Sequence, residues 1–265
     1  MAQRQVPKVR YEYMTVNSVP TKVVQVGKTD LGPNCQEPLL IFIPDHWHLY
    51  GLYGQVRHKV EFLRSQVTGN RAIFLASHSI GAYMMLQVLE ELKELNVKRS
   101  FLLFPVIERL SEAPNACSLT WDARLLKLFS LFIVLLLTVL PETIKSLLVS
   151  WYCWSLPQAI RQRSAKATNV LFKPTVFQIV IDMAHEELQV LGERDDEFIG
   201  AHMERLTFYY GRNDGWCPVR FYQEIKETFP NGDINLCSLN LKHAFVLDRT
   251  AEIAAFVSNR IRNSL

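Results

Sequence analysis

The chain has 265 residues, a formal net charge of +3, 49% apolar residues and 21% charged ones, which suits one sizeable domain with an insertion, or two small domains, and excludes wholesale disorder. So mild a charge gives no reason to expect nucleic-acid binding, yet it does not oppose contact with an anionic lipid surface. The five cysteines, Cys35, Cys117, Cys153, Cys217 and Cys237, form no CxxC pair. This argues against a zinc knuckle and a disulfide framework and leaves reduced intracellular thiols as the expectation. No apolar core of signal-peptide length occurs in the first 14 residues, so secretion is not expected.

In chain order, residues 11–16 and 21–26 are β-rich and flank a turn at Asn17, Ser18, Val19 and Pro20, predicting an early hairpin. Residues 39–43 are continuously apolar and end at Pro44, the pattern of a strand buried on both faces of a parallel sheet. Val56, Val60, Leu63 and Val67 recur at helical spacing within residues 55–67. Residues 71–76 then read as a buried strand, Ser77-His78-Ser79-Ile80-Gly81 as a sharp turn, and 82–95 as a helix. A further short strand covers 101–104.

Over residues 106–201 the alternation of strand and helix stops. The run that opens at Leu125 and closes at Leu140 reads LLKLFSLFIVLLLTVL, and after Pro141 the chain resumes with Trp151, Tyr152 and Trp154 in an apolar setting. The first run is shorter than the ~18–20 clean apolar residues that span a bilayer, and Lys127 interrupts it. Two readings stand. The region is either a hairpin that dips into a lipid monolayer with its aromatics at the interface, or a greasy helix pair buried in a cap. Alternation returns with a strand at 206–210, a helix at 219–229, a strand at 234–239 and a helix at 250–262. The expected fold is therefore α/β, a mostly parallel sheet with an inserted helical cap. Residues 1–105 and 202–265 would form the core and 106–201 the cap.

A serine that acts as a nucleophile at neutral pH needs an exposed position on a strained turn, a base within reach and donors for the oxyanion. The strand–turn–helix around Ser79 supplies the first, with Ser77 where the G-x-S-x-G elbow has glycine. An acid and a histidine should follow on loops after later strands. Asp214 in Gly211-Arg212-Asn213-Asp214 and His243 in Leu241-Lys242-His243 meet that rule, each just past an expected strand. Ser79 would be the nucleophile, His243 the base, Asp214 its orienting acid, and the backbone N–H of Ile80 one oxyanion donor. No metal or cofactor is expected. His46 and His48 make an H-x-H without a third ligand at a familiar spacing and read as a loop pair. His78 would shape the pocket, and Arg194-Asp195-Asp196-Glu197 would be a solvated helix start or turn.

With these residues in hand, the chain resembles the lipid-droplet-associated hydrolases. The likeness is carried by Tyr53-Gly54-Gln55, the stretch around Ser79, residues 101–116, Pro141 with the segment after it, residues 208–218, and Lys242 to Phe245. It implies an α/β-hydrolase fold, a serine-esterase-like site, neutral lipid esters such as sterol esters as substrates, and residence on lipid droplets and the endoplasmic reticulum at the cytosolic face. It names no protein partner.

One departure stands out. Family members continue from the strand ending at Ile43 into a Gly/Asn/Pro-rich loop, a helix and another strand. Here Pro44 is followed by Asp45-His46-Trp47-His48, and only 35 residues separate Pro44 from Ser79, too few for a further βα unit. Two consequences are expected: loss of the loop that carries the second oxyanion N–H, and an unpaired edge or gap in the sheet. A non-enzymatic, lipid-anchored scaffold with a relic triad is the alternative reading.

Overall fold

A computed structural model describes residues 9–16, 19–26, 38–43, 51–67, 70–116, 123–154, 156, 158–171, 173–247 and 249–264. The expected turn at Asn17 and Ser18, the His46/His48 pair, the junction after Pro44, and Cys35 and Cys117 lie outside the described residues.

Strands β1 (Val9–Val16) and β2 (Val19–Val26) pair antiparallel as the expected hairpin, with Val19 and Pro20 inside β2. Five parallel strands make the main sheet: β3 (Leu39–Ile43), β4 (Ile73–His78), β5 (Val97–Leu103), β6 (Leu206–Tyr210) and β7 (Asp233–Leu236), in that order. Helices α1 (Leu52–Gln66), α2 (Gly81–Glu91), α8 (Val219–Thr228) and α9 (Thr250–Ser264) belong to this layer. Between β5 and β6 the chain runs through α3 (Ala123–Val139), α4 (Glu142–Trp154), α5 (Gln158–Leu171), α6 (Pro174–Val190) and α7 (Asp196–His202), the helical insertion that the sequence pattern predicts.

The central strands are buried because their residues are apolar on both faces. Phe74, Phe101, Phe208 and Tyr210 have almost no exposed surface, and each contributes roughly 2 kcal/mol of transfer free energy. Helix α2 is apolar nearly all round, with Met84, Met85, Val88 and Leu89 buried, as befits a helix covered on more than one side. It stops at Glu91, short of the expected 95, because the chain turns tightly there (Leu95 N–H to Leu92 O, 3.2 Å) to feed β5 at Val97. At the other end of the sheet Asp233 ties three strands to one helix: it accepts from Arg99 of β5, Thr207 of β6 and Arg260 of α9. Burial alone would raise its carboxyl, but Arg260, Asn235 and Thr207 outweigh that and hold it at about 2.

The insertion is tied to the core by side chains near its C-terminal end. Helix α1 has no side-chain cap of its own; Oε2 of Glu186 on α6 accepts its Leu52 N–H at 2.9 Å. Gly51 leaves room for this carboxylate, since a Cβ there would lie 2.5 Å from Glu186 Oε1. Further along the insertion Arg194, expected to be solvated, has only 7% of its side chain exposed; it bonds Glu108 (2.9 Å), itself 3% exposed, and donates to Thr228 of α8. The rest of that charged cluster behaves as a helix start, with Asp195 accepting the Phe198 N–H.

Strand β3 pairs with β4 along its whole length, without a gap, and is the outer strand of the sheet. Among the described residues no strand pairs with the outer edge of β3, and the β1–β2 hairpin forms its own two-stranded sheet, held beside α1 by a Thr21–His58 contact of 2.9 Å. Strand β3 also departs from the expectation of burial on both faces. Leu39 and Ile41 pack against the core, whereas Leu40 and Phe42 are 50% and 48% exposed. Alternation sends these two to a face that lacks cover. An open apolar edge of this kind invites self-association. Replacing Phe42 by Lys is expected to lower the aggregate fraction seen by static light scattering, while changing stability by about 0.5 kcal/mol or less, as for other surface substitutions; equal scattering with an equal melting temperature would count against it.

Candidate active site

Parallel pairing in one direction brings the C-terminal ends of β4, β5, β6 and β7 to one rim, where open α/β sheets hold their ligands. Ser79 follows β4 directly, with φ +57°, a left-handed conformation that costs a non-glycine residue about 1 kcal/mol or more. Two backbone bonds hold it there: Ser79 N–H to Leu103 O (3.2 Å) and Val106 N–H to Ser79 O (3.1 Å). Ser77 takes the glycine position of the elbow without difficulty. It is fully buried, and its hydroxyl donates to Phe101 O.

Asp214 lies in the turn after β6, and His243 in the loop after β7. The structure brings these residues to Ser79. Nε2 of His243 is 2.8 Å from Ser79 Oγ, and Nδ1 of His243 is 2.6 Å from Asp214 Oδ2. The Asp214 side chain has no exposed surface, and His243 is 16% exposed, so the chain of bonds runs from a partly open serine to a buried acid. Ile80 directly follows Ser79 and opens α2 as its N-terminal cap, which points the helix dipole's positive end at the space beside Ser79.

Close packing fixes the Asp214 turn. A Cβ on Gly211 would lie 2.5 Å from the Phe104 ring, and one on Gly215 would overlap the Asn115 amide; Asn115 N–H also donates to Gly215 O. Asp214 Oδ1 accepts the N–H groups of Trp216 (2.8 Å) and Cys217 (3.2 Å), and Oδ2 accepts the Cys217 thiol at 3.1 Å. Burial would raise this carboxyl, but the hydrogen bond and charge of His243, with Trp216 and Cys217, outweigh it and hold Asp214 below the usual range.

Sequence reasoning missed several residues here. Phe104, with φ +48°, sets its ring edge-on to His243. Trp216 lies near the same imidazole. The available signal was the spacing Asp214-Gly215-Trp216-Cys217, a turn in which an aspartate accepts from residues two and three ahead. His78 is where a pocket-shaping residue should be: its Nε2 donates to the His243 carbonyl at 2.8 Å, and its ring packs on that imidazole. Asp214, Cys217 and His243 gather their donor atoms within 4.8 Å, the composition of a metal triad. Their internal spacing is that of hydrogen bonds, and burial with the Asp214 charge pushes the Cys217 thiol well up, away from the thiolate that binds metals.

The fold and this rim define an α/β hydrolase. Solved structures agree in fold: a 2-hydroxy-6-oxo-6-phenylhexa-2,4-dienoate hydrolase from Rhodococcus matches with TM-score 0.64 at 13% identity, covering 97% of this chain and all of that one. A thermophilic esterase from Thermogutta terrifontis matches with TM-score 0.58 at 10% identity, covering 96% and 99%. The sequence profile of the lipid-droplet associated hydrolases matches residues 21–246, and the chain belongs to that family. The lipid droplet-associated hydrolases of Homo sapiens and Gallus gallus are 40% and 39% identical over 221 and 219 residues. In each case 82% of this chain is aligned, with 66% of the human and 67% of the chicken protein. The Drosophila melanogaster relative is 32% identical over 218 residues, 81% of this chain and 70% of its own. The chain thus spans about two thirds of the length of these relatives.

The depressed Asp214 carboxyl ties stability to pH. A carboxyl lowered on folding contributes stability that is present above its unfolded value, about 3.9, and lost as pH falls through the folded value. Urea unfolding of Asp214→Asn against the parent is expected to show a full deficit at pH 7 and pH 5 that narrows below about pH 4. A deficit of constant size across that range would contradict the assignment.

Proposed function

We propose that the chain is a serine hydrolase that cleaves carboxylic esters of neutral lipids, sterol esters among them, at the surface of lipid droplets and the cytosolic face of the endoplasmic reticulum. The observation that carries this reading is the continuous hydrogen-bonded chain from Ser79 Oγ through His243 to Asp214. Ser79 attacks the ester carbonyl while His243 takes its proton, and the alcohol leaves with that proton. Water, deprotonated by His243, then attacks the acyl-serine; the bond to Ser79 Oγ breaks, His243 returns the proton to Oγ, and the carboxylic acid is released. Asp214 holds the imidazole in the tautomer that accepts at Nε2 and stabilises its cation, and the N–H of Ile80 donates to the oxyanion. No cofactor enters this scheme. Residues 1–105 and 202–265 act as the catalytic core and 106–201 as the cap.

The cap supports a lipid partner by the inversion of its polarity. Leu128, Leu131 and Phe132 of α3, Leu147, Trp151 and Trp154 of α4 are all exposed, Trp151 by 79%, whereas Ser130 and Lys145 are buried along with Leu137, Val149 and Cys153. Lys145 is held by Glu142 at 2.8 Å. A helix pair that turns so much apolar surface outward while burying a lysine suits a hydrocarbon surround better than water. No single helix among the described residues is long and apolar enough to cross a membrane, and the pair bends by 117° at its break. The region around Leu125 and Leu140 is accordingly assigned to shallow insertion in a monolayer.

The open edge of β3 favours a second reading, a lipid-anchored scaffold that has lost its chemistry along with part of its sheet. A single missing oxyanion donor lowers turnover by roughly 10²–10³. Labelling by a fluorophosphonate probe separates the two: the parent is expected to label, Ser79→Ala not at all, and His243→Ala roughly 10³-fold more slowly. A folded parent that refuses the probe rejects the enzyme reading. For the lipid contact, the double variant Phe129→Asp, Phe132→Asp is expected to lose flotation with phospholipid-coated triolein emulsions and to keep the parent's labelling rate; undiminished flotation would assign anchoring elsewhere.

A further inference from the structure

Resting on the reading above, we propose that Cys217 is a positioning residue whose thiol proton tunes the Asp214–His243 pair. The geometry gives one residue a hold on both carboxylate oxygens: its N–H reaches Oδ1 at 3.2 Å and its Sγ reaches Oδ2 at 3.1 Å. Oδ2 is also the oxygen that receives His243 Nδ1 at 2.6 Å. With Trp216 N–H on Oδ1, the buried carboxylate is fixed in rotation, and Oδ2 is shared between imidazole and thiol.

A carboxylate has no proton to give, so the thiol is the donor. Cys217 is fully buried, and burial together with the neighbouring Asp214 charge keeps it as S–H. The thiol hydrogen then takes up part of the charge that Asp214 presents to the imidazole. It also places a partial positive charge beside the ring. Both effects make the imidazolium less favourable than it would be without the thiol. The other titratable groups near the pair are His78 from β4, whose Nε2 lies 2.8 Å from the His243 carbonyl, and the buried Tyr210 phenol of β6, which interacts electrostatically with Cys217. Neither touches Asp214 Oδ2 among the hydrogen bonds of the described residues, which leaves Cys217 as the donor that competes with His243 for it.

The test follows the His243 ring signals by NMR against pH in full-length protein carrying ¹³C-labelled histidine, assigned with His243→Asn. Parent, Cys217→Ala and Cys217→Ser are compared, each with a melting curve. Losing the thiol donor is expected to move the acid midpoint of the pair up by about half a pH unit, a fraction of a hydrogen bond's worth. The serine hydroxyl, a stronger donor, is expected to return it to the parent value or below. An unmoved midpoint in folded Cys217→Ala overturns the proposal and leaves Cys217 as packing. If that variant does not fold, Cys217→Ser decides alone: a midpoint raised as far as loss of the donor would raise it overturns the proposal. The titration needs no turnover, so it is read equally in a Ser79→Ala background. A shifted midpoint in a parent that refuses the fluorophosphonate would reject the hydrolase reading and keep the role of Cys217.

Discussion

Parallel pairing of β4 between β3 and β5 delivers Ser79 to the rim in a backbone conformation that serine does not adopt by preference. What keeps it there is the pair of hydrogen bonds to the chain leaving β5, on Leu103 and Val106. The same exit carries Phe104, itself left-handed, whose amide bonds Tyr209 O and whose ring faces His243. Local strain at one residue is thus balanced by packing from three strands, and the imidazole finds its place against those same atoms. Remove the β4–β5 register and neither the serine nor the ring that meets it would have a defined position.

The rim is complete on one side of β4 and depleted on the other. Toward β7, each strand end contributes a group to the hydrogen-bonded chain or a ring that packs on it. Toward β3, the sheet stops, two apolar side chains look outward, and the first two strands of the chain form a separate ribbon. Among the described residues no strand pairs with the outer edge of β3, and Leu40 and Phe42 stay about half exposed.

Much of this was legible in the sequence because it depends on local pattern. The buried strand of residues 73–76, the turn at Ser79 and the run of methionines and leucines in α2 announce themselves by composition and period. Asp214 and His243 could be chosen because each lies in the loop after an expected strand. What escaped depends on long-range geometry. Nothing near Arg194 signals that it will be buried against Glu108, 86 positions earlier. Continuous apolarity in residues 39–43 reads as a fully covered strand, and only the missing cover exposes Leu40 and Phe42. Ser77 and the thiol of Cys217 look ordinary in sequence, and their partners appear only once the strands are aligned.

The bond between Glu186 and the first amide of α1 links segments 134 positions apart. A helix start normally carries its own cap, so that it can form or fray independently of the rest. Here the first turn of α1 is finished by the insertion, and Gly51 yields the space for it. Lifting α6 away would leave that amide without its acceptor and loosen α1, which in turn packs beside α2, the helix that begins at the Ser79 turn. The cap and the floor beneath the rim therefore form one cooperative unit. A perturbation felt by the insertion has a mechanical route to the rigidity of the elbow, with no ligand required to carry it.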